Sequence, residues 1–173
     1  MKKVLMLALV AFMTLAMSQK AQAIEDPNPK GTMTIGIRGG VGYFGYVGFG
    51  GNVVGDYTLI DSWWKGHFTV GGFAGYYNYH HVSNVAFMPR ATYGLNITDD
   101  FEVHLGVMTG VYWRQYSRDY YTYIHESDYV EWGFTHGEVV GCRYFFTPNF
   151  GVEAEAGYAY TMPYLNLGVT FKF

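Results

Sequence analysis

The chain of 173 residues carries 14 acidic and 11 basic residues, and its charged fraction of 14% is far below the roughly 25% of a soluble domain. An acidic protein is a poor ligand for nucleic acid, so no nucleic-acid partner is expected. The single cysteine, Cys142, excludes an internal disulfide, and no sequence pattern predicts a bound cofactor.

The first 23 residues are predicted to form a signal peptide. Lys2 and Lys3 precede an apolar run over residues 4–17, and Ala21-Gln22-Ala23 provides a small-residue cleavage site. A membrane-anchoring helix is the competing interpretation, but the run is shorter than the roughly 18 residues that such a helix needs. Residues 24–173 are expected to form one domain, as their number suggests. Because residues 1–23 hold three lysines and no acidic residue, the formal net charge of this domain is −6.

The rest of the chain has a membrane-like composition without a membrane-helix pattern. Aromatic residues make up 20% of the chain, with 17 Tyr and 23 Gly. No later segment is apolar for the roughly 18 residues of a spanning helix, and apolar residues instead alternate with polar or small ones. The pattern predicts an all-β fold, an eight-stranded antiparallel transmembrane β-barrel with up-and-down meander topology.

Eight strands are predicted, and the connections between them alternate in length. The short connections are 61–66, 97–100 and 147–149, while those around 44–50, 78–84 and 117–128 are longer and rich in Gly, Tyr or charge. Outer-membrane barrels have short periplasmic turns and longer outside loops, so both termini are expected in the periplasm and the Tyr-rich loop 115–128 outside, where it is available to a partner. The predicted strands are 32–43, 51–60, 67–77, 85–96, 101–115, 129–146, 150–160 and 164–173.

Aromatic residues are predicted to form two belts at the ends of the strands, as they do at the two interfaces of a membrane. The belt at the short turns comprises Trp63, Trp64, Phe68, Phe101, Phe145, Phe146, Phe150 and Phe173. The belt at the long loops comprises Tyr43, Tyr76, Tyr79, Trp113, Trp132, Tyr160 and Tyr164.

The strand faces opposite the apolar ones carry charges of both signs. The predicted lumen network comprises Arg38, Asp56, Arg90, Glu102, Arg114, Glu153, Glu155 and Lys172, with His104 on the same face. The interior of an eight-stranded barrel is only just wide enough for side chains, so these charges are expected to pair and plug the lumen. A polar track for a small solute is the alternative.

The sixth strand does not fit a single alternation. Glu138 and His136 share a face with Trp132, Phe134 and Val140. A bulge in mid-strand would correct the pattern, and on that assumption Arg143 is expected inside.

The last ten residues alternate without a break and end on an aromatic residue. Leu165, Leu167, Val169, Phe171 and Phe173 fall on one face. This segment resembles the closing strand of Gram-negative outer-membrane barrels, and the whole chain after residue 23 resembles the class of the OmpA transmembrane domain and OmpX. The resemblance implies an outer-membrane location among lipid and lipopolysaccharide, and an insertion signal at Phe171 and Phe173 that the barrel-assembly machinery reads.

Three short motifs suggest chemistry. Gly40-Val41-Gly42-Tyr43-Phe44-Gly45 matches a dinucleotide fingerprint but lacks the following helix, so it is dismissed.

The pairs His81/Ser83 and His125/Ser127 resemble the His-x-Ser pair of the outer-membrane lipid A deacylases, but the first lacks a nearby acid and the second lies in a loop. His80 and His81, with His125 and Glu126, are a weak metal candidate, since adjacent histidines on a strand point to opposite faces.

The sequence therefore predicts a non-enzymatic outer-membrane barrel with a structural or surface-interaction role and no catalytic, cofactor or metal residues. The alternatives are a lipid A-modifying enzyme, a small hydrophobic-solute channel, and a soluble exported barrel with an interior ligand.

Overall fold

The computed structural model describes residues 27–44, 46–63, 66–80, 82–117, 129–159 and 164–173, without the side chains of residues 44, 46 and 129. Eight strands make up almost all of these residues. They are β1 (Met33–Phe44), β2 (Tyr46–Trp63), β3 (Gly66–Tyr79), β4 (Val82–Asn96), β5 (Phe101–Tyr116), β6 (Tyr129–Thr147), β7 (Phe150–Ala159) and β8 (Leu165–Lys172). The described residues contain no helix that is long and apolar enough to cross a membrane.

The strands form a closed ring in chain order, each antiparallel to its neighbours, and β8 pairs with β1. The predicted eight-stranded meander is therefore confirmed. Following directly opposed residues once around the ring from Phe101 returns to β5 at Val111, ten residues further along. Such a stagger requires tilted strands, typically by about 35–45°, and eight strands leave an interior that side chains just fill.

The two ends of the barrel differ. The described chain begins and ends at the same end, where Met33 and Phe173 exchange two backbone hydrogen bonds of 3.0 and 2.8 Å. We call this the proximal end and the opposite one the distal end.

Side chains alternate between the lumen and the outer wall. On β5, Val107 and Trp113 are 59% and 62% exposed, whereas their neighbours Met108 and Arg114 are 3% and 0% exposed. Large apolar residues thus cover the outside, and the buried residues fill the lumen. The hydrophobic periodicity is the reverse of that in a water-soluble barrel.

Two of the predicted outside loops are wrong, because their residues continue the barrel wall. Phe44 lies directly opposite Tyr46, and Tyr79 lies opposite Val82. The glycines that suggested a loop in 44–50 make room for aromatic rings inside: a Cβ at Gly48 would lie 2.1 Å from the ring of Tyr79. Most of the third predicted loop, residues 118–128, lies outside the described residues.

The predicted bulge in the middle of β6 is also wrong. The pairing of β6 with β5 runs without interruption from Phe101 opposite Tyr144 to Tyr116 opposite Tyr129. One alternation therefore holds along β6, with Arg143 inside and His136 and Glu138 outside, both exposed. The one described register shift of β6 lies at its proximal end, between Phe145 and Thr147.

Two residues of the predicted aromatic belts face the lumen instead. Phe145 and Tyr79 are 4% and 3% exposed, because each has the inward parity of its strand. Around the proximal rim the outward rings contact one another, as in Tyr144–Phe146 at 5.2 Å. Trp64 and Tyr160 lie outside the described residues.

Candidate functional site

The proximal half of the lumen holds a cluster of buried ionisable side chains, each no more than 4% exposed. Seven strands, β1 to β7, contribute to it because each places an inward residue near its proximal end or middle. We call it the proximal charge cluster, and it comprises Arg38, Asp56, His67, Arg90, Glu102, His104, Arg143, Glu153 and Glu155.

Arg143 joins three carboxylates from three strands. Its Nη2 lies 2.6 Å from Oδ2 of Asp56 on β2, and its Nη1 lies 3.2 Å from Oε1 of Glu102 on β5. Its Nε donates to Oε2 of Glu153 on β7 at 3.2 Å. The planar fork of a guanidinium suits this role, since an ammonium group cannot present three donors in those directions.

Arg38 and Arg90 complete the ring of ion pairs around Glu155. Arg38 Nη1 lies 2.8 Å from Glu155 Oε1, and Arg90 Nη2 lies 2.9 Å from Glu155 Oε2. Arg38 Nε also donates to Asn52 at 2.6 Å, and Arg90 Nε lies 3.1 Å from Asp56 Oδ1. Glu153 and Glu155 share one face of β7, and these cations separate their charges.

Glu102 forms the proximal boundary of the cluster. His104 Nδ1 and His67 Nε2 lie 3.4 and 3.6 Å from its two oxygens. Asn28, from the segment that precedes β1, is 2% exposed and donates its amide to Glu102 Oε2 at 3.0 Å. The chain before the first strand therefore covers the charged end of the lumen.

Small residues on the lumen wall make space for this cluster. A Cβ at Gly36 would lie 1.8 Å from Oε1 of Glu153, and one at Gly141 would lie 2.5 Å from Nε2 of His104. The space occupied by these polar groups thus depends on glycines of the inward parity.

The charges of the cluster nearly balance, with three arginines against four carboxylates and two histidines that lie beside carboxylates. Each carboxylate lies within ion-pair distance of at least one arginine. Paired charges at such burial are held in place, because removing one partner leaves the other uncompensated.

Two residues of the predicted network lie elsewhere. Arg114 is buried near the distal end, where it donates to Asn84 at 2.8 Å and lies 3.9 Å from Glu131. Lys172 lies at the proximal mouth, where its ammonium group sits 4.1 Å from the ring centroid of Phe145 and donates to the carbonyl of Pro27 at 3.4 Å. The structure brings the other six predicted residues together.

Apart from polar residues such as Arg114 and Asn84 near the distal end, the middle and distal part of the lumen is filled by apolar side chains. We call this group the distal core, which comprises Val54, Phe73, Tyr77, Tyr79, Ala86, Met88, Met108, Tyr112, Val139 and Ala159. Asn52 and Asn166 lie at its border with the charged half and form hydrogen bonds with each other and with the hydroxyl of Tyr77. Two shallow grooves lined mainly by apolar residues lie on the outer wall, one beside Phe87 and Trp132 and one beside Tyr144 and Leu167.

The residues proposed for catalysis or metal binding are only partly described. Ser83 accepts a hydrogen bond from Asn78 at 3.0 Å and lies 3.3 Å from the hydroxyl of Tyr76. His81, His125, Glu126 and Ser127 lie outside the described residues, and His80 occupies a turn with φ of 53°. Among the described residues, no group of three or more His, Cys, Asp or Glu is arranged to hold a metal ion.

His67 and Asn28 were missed by the sequence reasoning. His67 has the inward parity of β3, so the alternation alone could have identified it. Asn28 precedes the first strand, where no periodicity applies, and nothing in the sequence indicated its position.

A scan against protein-family models finds no match, and a search of curated proteins finds none. Solved structures do match. The N-terminal barrel of OprF from Pseudomonas aeruginosa aligns at 22% identity and a TM-score of 0.53 over 83% of this chain and 98% of that one. Neisserial surface protein A aligns at 13% identity and a TM-score of 0.57, over 82% of this chain and 94% of that one. OprG from Pseudomonas aeruginosa aligns at 10% identity and a TM-score of 0.58, over 86% of this chain and 99% of that one. The chain thus has the fold of small eight-stranded Gram-negative outer-membrane barrels.

Proposed function

We propose that the protein is an integral outer-membrane barrel without enzymatic activity, in which a plugged lumen supports a structural or surface-interaction role. The observation that carries the proposal is the combination of an apolar outer wall with a lumen that a paired charge cluster and an apolar core fill. An apolar outer wall needs lipid around it, and a lumen filled by side chains leaves no channel for solutes.

We propose the following arrangement in the membrane. Residues 1–23 are removed as a signal peptide, and residues 24–173 form the barrel. The proximal end, with both ends of the chain, faces the periplasm, and the loop at 115–128 faces outwards to meet a partner. Outer-membrane lipid and lipopolysaccharide surround the wall, and Phe171 and Phe173 carry the signal for the barrel-assembly machinery. Phe173 is 70% exposed, so its ring is available for recognition.

Membrane fractionation of cells that express the full chain tests the location. We expect the protein in the outer-membrane fraction and a shift in gel migration on boiling, because a folded barrel resists detergent until heated. A protein that folds as a monomer without detergent and floats free of membranes would refute the proposal.

Two variants of the full chain test the role, one for surface interaction and one for enzymatic activity. Removing residues 118–128 should abolish binding of the partner to whole cells while leaving the heat-dependent migration unchanged. Replacing Ser83 and Ser127 by Ala should leave the lipid A composition of the host unaltered. A change in lipid A that depends on those serines would favour the enzymatic alternative.

A further inference from the structure

In the described strands, the outer wall contains one pair of residues with ionisable side chains of the acidic and basic types. Between the proximal and distal aromatic belts, the outward side chains of the described strands are apolar, aromatic, small or uncharged. The exceptions are His136 and Glu138, the two outward residues of these strand segments that belong to the Asp, Glu, His, Lys and Arg types. Both lie on β6 between Trp132 of the distal belt and Tyr144 of the proximal belt.

The described part of the barrel gives this pair no partner. Glu138 lies opposite Val107 on β5 and Tyr158 on β7, and it forms no hydrogen bond or ion pair with a described residue. His136 lies opposite Thr109, whose hydroxyl donates to the carbonyl of Thr135 at 3.2 Å. A carboxylate that faces hydrocarbon without a partner lowers the stability of the protein in the membrane. We therefore expect ionisable residues between the two aromatic belts to bind a partner from outside the barrel.

We propose that this face of the barrel binds a second copy of the chain, with His136 of each copy paired to Glu138 of the other across a two-fold axis along the membrane normal. The inference rests on the membrane location in the proposed function. In a two-fold contact, residue i of one copy meets residue j of the other, and j meets i. Because the strands tilt, His136 and Glu138 are offset sideways as well as along the membrane normal, so a two-fold axis midway between them brings each within side-chain reach of the other type.

The surroundings of the pair support this occupant. Trp132 and Phe134 are 74% and 79% exposed, the highest values among the large apolar side chains that the structure describes, and Val107 is 59% exposed. These side chains can cover the pair and remove it from lipid. Because the strands tilt by about 35–45°, two facing β6 strands cross, and their contact is centred on a few residues.

Lipid is the poorer partner for both groups together. Hydrocarbon leaves Glu138 unpaired, and an anionic lipid phosphate repels it, although the same phosphate would attract a protonated His136. A second copy supplies a ring N–H for the carboxylate and a carboxylate for the ring. The symmetric contact therefore forms two hydrogen-bonded pairs from four groups that would otherwise face lipid.

Cysteine cross-linking in outer-membrane vesicles tests the contact. Cys142→Ser removes the natural thiol, and Val140→Cys then places one beside the pair, while Val53→Cys places one on β2, four strands away. Val140 and Val53 are 37% and 47% exposed, which makes the two positions comparable. With a short bifunctional maleimide, we expect a covalent dimer from Val140→Cys and monomer from Val53→Cys.

Changes to the pair distinguish it from a general apolar contact. In the Val140→Cys background, Glu138→Gln should lower the cross-linked fraction at least tenfold, because one charge-assisted hydrogen bond is lost in each of the two pairs. His136→Glu combined with Glu138→His should restore it, because the exchanged surface is again complementary to itself. Equal cross-linking at both cysteines, no effect of Glu138→Gln, or no rescue by the exchange would overturn the proposal.

Heat-dependent gel migration restricts the comparison to folded barrels. If Glu138→Gln does not fold, His136→Gln takes its place, because it removes the other member of the pair and should lower the cross-linked fraction in the same way. An unchanged fraction in that variant would overturn the proposal. A protein that fractionates with the outer membrane but remains monomeric would refute the dimer and leave the proposed function intact. A protein outside the membrane would refute the proposed function first.

Discussion

The two halves of the lumen are filled by different physical means. The proximal charge cluster relies on directional ion pairs, in which Arg143 alone joins Asp56, Glu102 and Glu153. The distal core relies on the shape of apolar side chains such as Met88 and Met108. The difference predicts that the charged half tolerates almost no substitution, whereas the apolar half responds in proportion to the volume removed.

The largest effect is expected at the centre of the charged half. Arg143→Met keeps the bulk but removes a cation from three carboxylates and leaves Glu102 without any arginine, so it should lower the free energy of unfolding by roughly 3–5 kcal/mol. Arg143→Lys should rescue little, because an ammonium group cannot reach all three acids. Urea unfolding in lipid vesicles measures the change, with Lys30→Gln on the exposed proximal turn as a control that stays near wild type.

The apolar half should show a graded response. Met88 is 1% exposed, and Met88→Ala should cost about 2–4 kcal/mol through the cavity it leaves. Met88→Leu, which nearly conserves volume, should cost less than about 1.5 kcal/mol. If Met88→Leu proved as damaging as Met88→Ala in the same unfolding assay, the two halves would not differ as described.

Packing around the cluster is tested by a matched pair of glycines on the inner and outer wall. Gly36→Ala should cost about 1–3 kcal/mol, because its methyl group would collide with Glu153. Gly72 faces outwards, and no atom lies within 4 Å of the place that a methyl group would take there, so Gly72→Ala should be neutral or slightly stabilising. Thermal unfolding of both variants in the same detergent compares them, and equal losses would contradict the packing described for Glu153.

The smallest effect is expected where the chain enters the barrel. Asn28→Ala removes a hydrogen bond to buried Glu102 and should cost about 1–2 kcal/mol. Asn149→Ala is a suitable control, because its hydrogen bond to the carbonyl of Lys172 is exposed and replaceable by water. If Asn28→Ala lowered the free energy of unfolding no more than the control does, water would replace the hydrogen bond to Glu102 equally well.

Much of this architecture could be predicted from the sequence, because lipid outside and a narrow lumen inside force an alternation of period two. The alternation holds along β6 as well, and only the predicted bulge is wrong there. Glu138 and His136 share the outward face with apolar residues such as Trp132, and that mixture of types suggests a break in the alternation that the strand does not have. The register, which decides that Arg143 meets Asp56 across the lumen, depends on the stagger of the closed sheet, and no single strand encodes that quantity.

The first predicted loop failed for a related reason. Glycine and tyrosine in 44–50 are typical of a loop, but here Gly48 and Gly50 lie against the rings of Tyr79 and Tyr77 inside the barrel. A glycine that makes room for a ring on the next strand cannot be told from a turn glycine without the pairing.

Closure of the lumen by the paired cluster and the distal core underlies both the proposed function and the stability differences expected here. Single-channel recording of the purified barrel in a planar bilayer tests that closure without any substitution. We expect no large steady conductance from wild type over minutes at moderate voltage. A steady, porin-like conductance would show that the lumen is wet and that neither half closes it.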